Sequence, residues 1–372
     1  MFRSIHIQNF RCFNNLKIKG FKSINLIGGP NNVGKTALLE ALLLSTYPSH
    51  NAYNILRLFR DEKDSSIKNA TDKIWNYFFY DQDKTQTIKF LLEREDDQKI
   101  AVELSCTKDI ETVLEAVYSN TLENGNGKEK LSELISTKFS DVLLLNTKGN
   151  YGETDFNYFL LPDKENSTLG IVGKVPVPRG SKISPFFHSA RRFDDDSLTG
   201  LYSQVKENKN LKTLNDILHS LDNRIIGSEI DAPGGEPVIK LLLNDEQSLP
   251  LSMFGDAVRK VTELVLVMLN TSNNAVLLID EIENGIHYMK HKGLWEKLFQ
   301  IVEKNQLQIF ATSHSGEMIR AFNKVAYQTE FDDKAMYFEM ARTEKSNRII
   351  VNPMDMSMLN YEILTNNAYR GE

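Results

Sequence analysis

The chain has 372 residues, 41% hydrophobic and 25% charged, an ordinary globular composition that can fill two or three packed lobes. With 44 Lys+Arg against 50 Asp+Glu the net charge is −6, which excludes a generally basic coat for nucleic acid and leaves any DNA contact to a local patch. The two cysteines, Cys12 and Cys106, lie far apart and form no C-x-x-C, and no apolar run approaches the ~20 residues of a membrane helix, so a soluble protein of a reducing cytoplasm is expected.

The first residues, "MFRSIHIQNF", alternate polar and apolar and predict a strand, not a signal peptide. "SIHIQNF" and "SINLIGG" flank "LKIKGF" as a small β-unit. It leads into "GGPNNVGKT" at 28–36, where Gly29 and Gly34 bracket four residues and Lys35 and Thr36 follow. That is the G-x-x-x-x-G-K-[ST] spacing of a phosphate-binding loop. Its glycines let backbone N–H groups turn inward as an anion nest. Lys35 has the reach for β- and γ-phosphates, and the Thr36 hydroxyl is a ligand for Mg²⁺. "TALLEALLLS" then reads as a helix, to about Tyr47, whose N-terminus faces the phosphates. A bare glycine turn before a helix is the bland alternative, and the strand–loop–helix context argues against it.

Residues 50–80 are mixed, with short helices in "AYNILRLFRDEK" and "DKIWNYFFY". "TQTIKFLLERE" and "KIAVELSC" predict a hairpin, and "DIETVLEAVYSN" has helical spacing. "NGNGKEK" at 124–130 is a loop tip, and "DVLLLN" and "FNYFLLPD" are strand candidates. "GKVPVPRGSKISP" carries three of the ten prolines and predicts a crossing loop. No long heptad run appears, so no extended coiled-coil arm is expected. In the second half, "ISPFFHS", "EPVIKLLLND", "AVLLID" and "LQIFATS" predict strands. "LKTLNDILHSLD", "GDAVRKVTELVLVMLN", "GLWEKLFQIVEKN" and "GEMIRAF" predict helices. The alternation argues for a mostly parallel α/β sheet, and "AMYFEMARTEKSNRIIVNP" for a closing hairpin.

"AVLLIDE" ends a buried strand in two carboxylates. Asp280 would lie at the C-terminal end of the sheet, where α/β ligands bind, and hold Mg²⁺ directly or through water. Glu281 can orient and deprotonate an attacking water. Two acids after a strand also suit a plain helix start, and their pairing with the phosphate loop favours the chemical reading. One helix later the strand "IFATSHS" ends in polar residues; a lone His at a strand end is usually structural, but the βαβ spacing puts His314 where a side chain can reach a γ-phosphate. "PLSMFGDAVRK" precedes a helix. Ser252, Gly255 and Asp256 there are either simple caps or a turn that presents a hydroxyl and N–H groups to an anion. His287 and His291 have the i, i+4 spacing of a chelating pair but no third ligand nearby. Arg179, Lys182, Arg191 and Arg192 in "PRGSKISPFFHSARRF" suit a phosphate backbone, yet run straight into "DDD" at 194–196 and equally suit a neutralised solvated face.

The order "NFRCF", "GPNNVGKT", "PLSMFGDAVRK", "LLIDEIENGIH", "IFATSHS" resembles the ABC-type ATPases of the RecF and SMC class. It most resembles the ATPase part of the overcoming-lysogenisation-defect (OLD) family and its relatives in the bacterial Gabija, Septu, PARIS and retron defence systems. The motifs span about residues 1–45 and 183–352. "LSMFGDAVRK" and "ENGIH" depart from transporter patterns, as in the OLD-like group.

The resemblance implies a P-loop ABC-type α/β fold with a mixed sheet, flanking helices and an inserted α+β lobe. It divides the chain into 1–49 and 183–372 as the two parts of one ATPase domain, with 50–182 as the lobe. It implies ATP and Mg²⁺ as cofactors. Gly29, Asn31, Asn32, Gly34, Lys35, Thr36 and Ala37 would form the Walker A site. Asp280 would join Thr36 on the metal, with Glu281 as base, His314 as switch histidine and Lys35 on the phosphates. Ser252, Gly255 and Asp256 would be the signature turn offered to a second copy. Glu283, Asn284 and His287 would form the D-loop at the dimer interface, and Arg11 an arginine that reaches the nucleotide, the bland alternative being a surface arginine on an edge strand. A Q-loop glutamine is not evident; "FFHSARRF" lies where it belongs. The implied assembly is a homodimer or higher homo-oligomer. Full OLD-like nucleases continue into a Toprim domain, and only about 20 residues follow "RIIVNP", so the effector nuclease is expected in trans. The leading expectation is an ATP-hydrolysing sensor of antiphage defence, with a phage protein as trigger and DNA contact secondary. The alternatives are a RecF-like repair ATPase and an ATP-bound scaffold with little turnover.

Overall fold

A computed structural model of the chain describes residues 1–46, 48, 52, 53, 56, 75–109, 111–114, 143–151, 154–163, 168–175, 186–187, 193–329, 331–343 and 347–365. The chain opens with antiparallel β1 (Phe2–Phe10) and β2 (Phe13–Lys19), then β3 (Ile24–Gly28) and helix α1 (Lys35–Thr46). Next come β4 (Ile88–Arg94), β5 (Lys99–Thr107), β6 (Leu144–Tyr151), β7 (Thr154–Asp163) and β8 (Thr168–Lys174). These extend the sheet begun by β1 and β2, in the order β2-β1-β4-β5-β6-β7-β8, antiparallel throughout. Strands from residues 1–49 and from 50–182 therefore share one sheet. β8 includes Gly173 and Lys174, which the proline-rich pattern predicts as loop.

The second half supplies β9 (Phe186–Phe187), α2 (Asp195–Glu207), α3 (Leu211–Leu221), and a small meander of β10 (Ile225–Asp231), β11 (Val238–Leu243) and β12 (Ser248–Pro250). It continues with α4 (Asp256–Asn270), β13 (Val276–Ile279), α5 (His291–Asn305), β14 (Gln308–Thr312), α6 (Gly316–Tyr327), β15 (Ala335–Arg342), β16 (Ile349–Met354) and α7 (Met356–Leu364). The catalytic sheet runs β16-β15-β3-β14-β13-β9, parallel except for the β15–β16 hairpin. Side chains alternate between two cores, as period-2 geometry requires. Leu26, Leu277, Ile279, Ile309 and Ala311 face the layer of α2 to α7. Ile27, Val276, Leu278 and Phe310 face α1 and the antiparallel sheet. Helix α1 is buried almost all round because it is clamped between two sheets, which explains its uniformly apolar sequence.

The sheets are also stitched by hydrogen bonds. The Gln308 side chain accepts from Phe2 N at 2.8 Å and donates to Phe2 O at 2.8 Å and to Lys22 O at 3.0 Å. A buried amide thus acts as an extra peptide unit between β14 and β1. Helix α2 begins where the sequence shows the acidic run. Asp194 caps it by accepting from Ser197 N at 2.7 Å, and Asp195 and Asp196 occupy its first turn, where the helix dipole favours acids. The loop tip 124–130, the basic residues Arg179, Lys182, Arg191 and Arg192, and most of the helical segments expected at 52–63 and 109–120 lie outside the described residues. Among the described residues no helix is long and apolar enough to cross a membrane.

Candidate nucleotide site

β3, β14 and β13 lie side by side and parallel, so their C-terminal ends open on one edge of the sheet. The 28–36 loop leaves β3 there and wraps into α1. Gly29 has φ +134° and Gly34 φ +95°. A side chain on Gly29 would run into the carbonyl of Met340 on β15, and one on Gly34 into Cys12 Sγ and the Phe13 ring. The loop is therefore drawn tight against its neighbours, with its free side on a cleft of about 850 Å³.

Asn31, Asn32, Gly34, Lys35, Thr36, Ala37, Asp280 and Glu281 line one side of that cleft, and Arg11, Tyr77, Phe79, Asp81 and Gln82 another. Lys35 is buried, and its Nζ donates to the carbonyls of Gly29 and Pro30, both at 2.7 Å. Burial pushes its pKa below the ordinary lysine value, against the opposing pull of Glu283, Asp280 and Glu281. Thr36 Oγ1 donates to Asp280 Oδ2 at 2.9 Å, and Thr312 Oγ1 donates to Asp280 Oδ1 at 2.5 Å. The Thr312 hydroxyl in turn accepts from Glu281 N at 2.8 Å. Both oxygens of a buried carboxylate are thereby fixed. Two hard oxygens, the Thr36 hydroxyl and the Asp280 carboxylate, meet at the cleft floor, a donor set that fits Mg²⁺.

Glu281 adopts φ +50°, a left-handed conformation that a side chain with a Cβ rarely takes. The turn it starts is held from below. Lys260 on α4 donates to the carbonyls of Asn284 at 2.9 Å and Glu281 at 3.4 Å. Burial lowers the Lys260 pKa too, opposed by Glu281, Glu283, Asp280 and Glu263. Glu283 turns inward: its Oε1 accepts from His314 N at 2.7 Å and lies 3.0 Å from His314 Nδ1. Asn284 and His287 stay exposed, so the three residues expected on a subunit interface divide between inside and outside. His314 itself is 48% exposed.

Ser252, Gly255 and Asp256 are exposed at the start of α4 and do not line the cleft; Gly255 caps the helix N-terminus, and Asp256 lies beside Gly285. Arg11 lines the cleft, but its Nε donates to Glu40 Oε2 at 3.0 Å and its Nη1 to Tyr77 O at 2.8 Å, with the guanidinium 4.7 Å above the Phe78 ring. His287 and His291 are not brought together as ligands. His287 caps a short turn through Met289 N, whereas buried His291 holds the Ile286 carbonyl at 2.9 Å. Of "FFHSARRF" only the Phe186–Phe187 backbone and Phe193 are described, so the Q-loop position lies outside the described residues.

Sequence reasoning misses Thr312, Lys260, Glu40 and the wall from Tyr77 to Gln82. Thr312 carries one usable signal, a hydroxyl at the end of an apolar central strand. The others have none, because their partners are distant in sequence.

A family model described as an AAA domain matches residues 4–249, and a second, described as an AAA ATPase domain, matches residues 181–319. A Helicobacter pylori protein named ATP/GTP phosphatase is 25% identical over 351 residues, covering 91% of this chain and 92% of its own length. The uncharacterized protein MJECL10 of Methanocaldococcus jannaschii is 31% identical over 121 residues, 29% of this chain and 55% of that protein. Among solved structures, the SMC head domain from Thermotoga maritima aligns with a TM-score of 0.43 at 12% identity, over 95% of this chain and 99% of that one. An SmcHead bound to the C-winged helix domain of ScpA aligns with a TM-score of 0.47 at 10% identity, over 96% and 98%. The chain belongs to the AAA-domain family and is a P-loop ATPase.

Proposed function

We propose that the cleft takes ATP with Mg²⁺ and hydrolyses the terminal phosphoanhydride, and that this turnover drives a switch read by a second protein. One observation carries the chemical part: the hydrogen-bonded chain Thr36–Asp280–Thr312, with Glu281 tied to its end, at the mouth of the phosphate loop. In this reading Lys35 exchanges the Gly29 and Pro30 carbonyls for phosphate oxygens. The N–H groups from Gly29 to Ala37, with Asn31 and Asn32, cradle the phosphate chain. Thr36 and Asp280 hold the metal. Bound Mg²⁺ supplies charge neutralisation across the phosphate oxygens. Glu281 orients the attacking water and accepts its proton, a role that contributes ~10²–10⁴ in rate. His314 meets the γ-phosphate at the open edge.

Ser252, Gly255 and Asp256 face solvent, and they fit the nucleotide of a second copy better than their own. A closed site would then need two chains. The motif order, with its OLD-like signature and D-loop, supports a place in antiphage defence, with a separate nuclease as the partner and residues 50–182 as its docking region. The ATPase reading is tested by two substitutions. Glu281→Gln should keep nucleotide binding and abolish most turnover, and Lys35→Ala should lose binding. Wild-type hydrolysis by Glu281→Gln would remove Glu281 as the base. The switch reading is tested by co-purification of a nuclease encoded beside this chain. The ATP-trapped Glu281→Gln protein and the wild type should retain it differently. Equal retention in both, or tight binding of duplex DNA at physiological salt with no partner, would overturn it.

A further inference from the structure

Glu283 is a buried carboxylate three residues past Asp280, 8% exposed, and the hydrolysis scheme gives it no task. Its contacts are specific. One oxygen, Oε1, takes both the backbone N–H of His314 at 2.7 Å and the ring Nδ1 of the same residue at 3.0 Å. The other oxygen, Oε2, is buried and has no hydrogen-bond partner among the described residues. An orphaned buried carboxylate oxygen is costly, so its retention calls for a reason.

The two contacts together fix more than a loop. A carboxylate can only accept, so the imidazole proton is held on Nδ1. The backbone contact fixes the position of the His314 Cα, and the ring contact fixes the ring's rotation about it. Nε2 is left as the ring's working nitrogen, on a side chain that is half exposed and has no other partner among the described residues. This is the arrangement by which a second carboxylate sets the tautomer and orientation of a functional histidine.

We propose that Glu283 is a positioning residue for His314. It holds the Nδ1–H tautomer and aims Nε2 at the terminal phosphate of the bound nucleotide. Asp280 and Glu281 then serve metal and water, and the third acid of "DEIE" serves the histidine. The inference rests on the role proposed for His314 above.

The test is a double-mutant cycle in steady-state ATP hydrolysis, joined to ¹⁵N spectroscopy of the histidine rings in the full-length protein without nucleotide. Glu283→Ala should lower kcat about tenfold or more with KM little changed. Adding Glu283→Ala to His314→Ala should then cost no more than about a further twofold, because the two act as one unit. Glu283→Gln keeps a side-chain acceptor and should recover most of the loss, which guards against a folding defect in the alanine variant. In the spectrum, wild-type His314 should carry its proton on Nδ1, and Glu283→Ala should move it towards Nε2. Losses that multiply in the double variant, or an unchanged tautomer, would overturn the positioning role. A His314→Ala protein that hydrolyses ATP at the wild-type rate would instead overturn the role given to His314, a result distinct from either.

Discussion

The Thr312 hydroxyl and the Asp280 carboxylate meet at 2.5 Å across two parallel strands, and the same hydroxyl receives the Glu281 amide. One neutral side chain, fully buried, therefore holds one oxygen of the Asp280 carboxylate and the backbone of Glu281. Thr312→Val preserves shape and removes the hydroxyl. It should leave the fold intact, cost about 1–3 kcal/mol in stability, and lower kcat about tenfold or more. Urea unfolding and steady-state hydrolysis check the two effects. An unchanged kcat would mean that the strand ends hold Asp280 without help.

Arg11 offers a sharper discrimination. Its guanidinium sits between Glu40, which is fully buried, and the Phe78 ring, although it also lines the cleft. Breaking a buried ion pair from one side costs about 3–5 kcal/mol. Arg11→Ala should accordingly destabilise the nucleotide-free protein, and Arg11→Ala with Glu40→Gln should regain part of the loss. If Arg11 served only the nucleotide, Arg11→Ala would raise KM and leave the unfolding midpoint alone.

Lys35 and Lys260 give the protein a pH signature. Burial places both pKa values below the ordinary 10.5. The folded state then binds fewer protons than the unfolded state between the lowered values and 10.5, so stability from these groups rises with pH across that window and levels off above it. Lys260→Met removes one contribution. The rise in urea midpoint as the pH approaches 10.5 from below should be shallower in that variant than in the wild type. A parallel pair of curves would show that Lys260 titrates alike in both states.

A site completed by a second copy predicts complementation. Lys35→Ala and Ser252→Arg proteins, each inactive alone, can form one site with both defects and one with neither. Mixing them should restore part of the activity. Full activity of the wild type at dilutions where it is monomeric would refute the shared site.

Much of the catalytic edge is legible in the residues. The phosphate loop has fixed spacing, and the β13–α5–β14 alternation is strongly periodic, so spacing and periodicity alone put Lys35, Thr36, Asp280 and Glu281 on one edge. Of the antiparallel sheet, β1, β4, β5 and parts of β6 and β7 are legible as strands and β8 is not, and the sheet as a whole is hidden because β4 completes a partnership begun by β1 far earlier in the chain. Helix α2 is hidden by its own cap: "DDD" reads as a solvated acidic run until Asp194 is seen on Ser197 N. The motif order groups Glu283 with Asn284 and His287 on a subunit interface, yet Glu283 alone turns inward. A tight turn sends neighbouring residues in opposite directions, and no pattern in four letters records which goes in.

The Gln308 clamp on Phe2 bears on how the molecule comes apart. Two stacked sheets joined only by side-chain packing could melt one after the other. Here a buried amide in the catalytic sheet closes a ring of hydrogen bonds with the first strand of the other, and α1 is wedged between them. Loss of either sheet strips the partner of its bonds and of a wall of its core. Thermal unfolding should therefore give a single calorimetric peak, and the Phe2 amide, one residue from the chain's start, should exchange its proton with solvent as slowly as the strands at the centre of the protein.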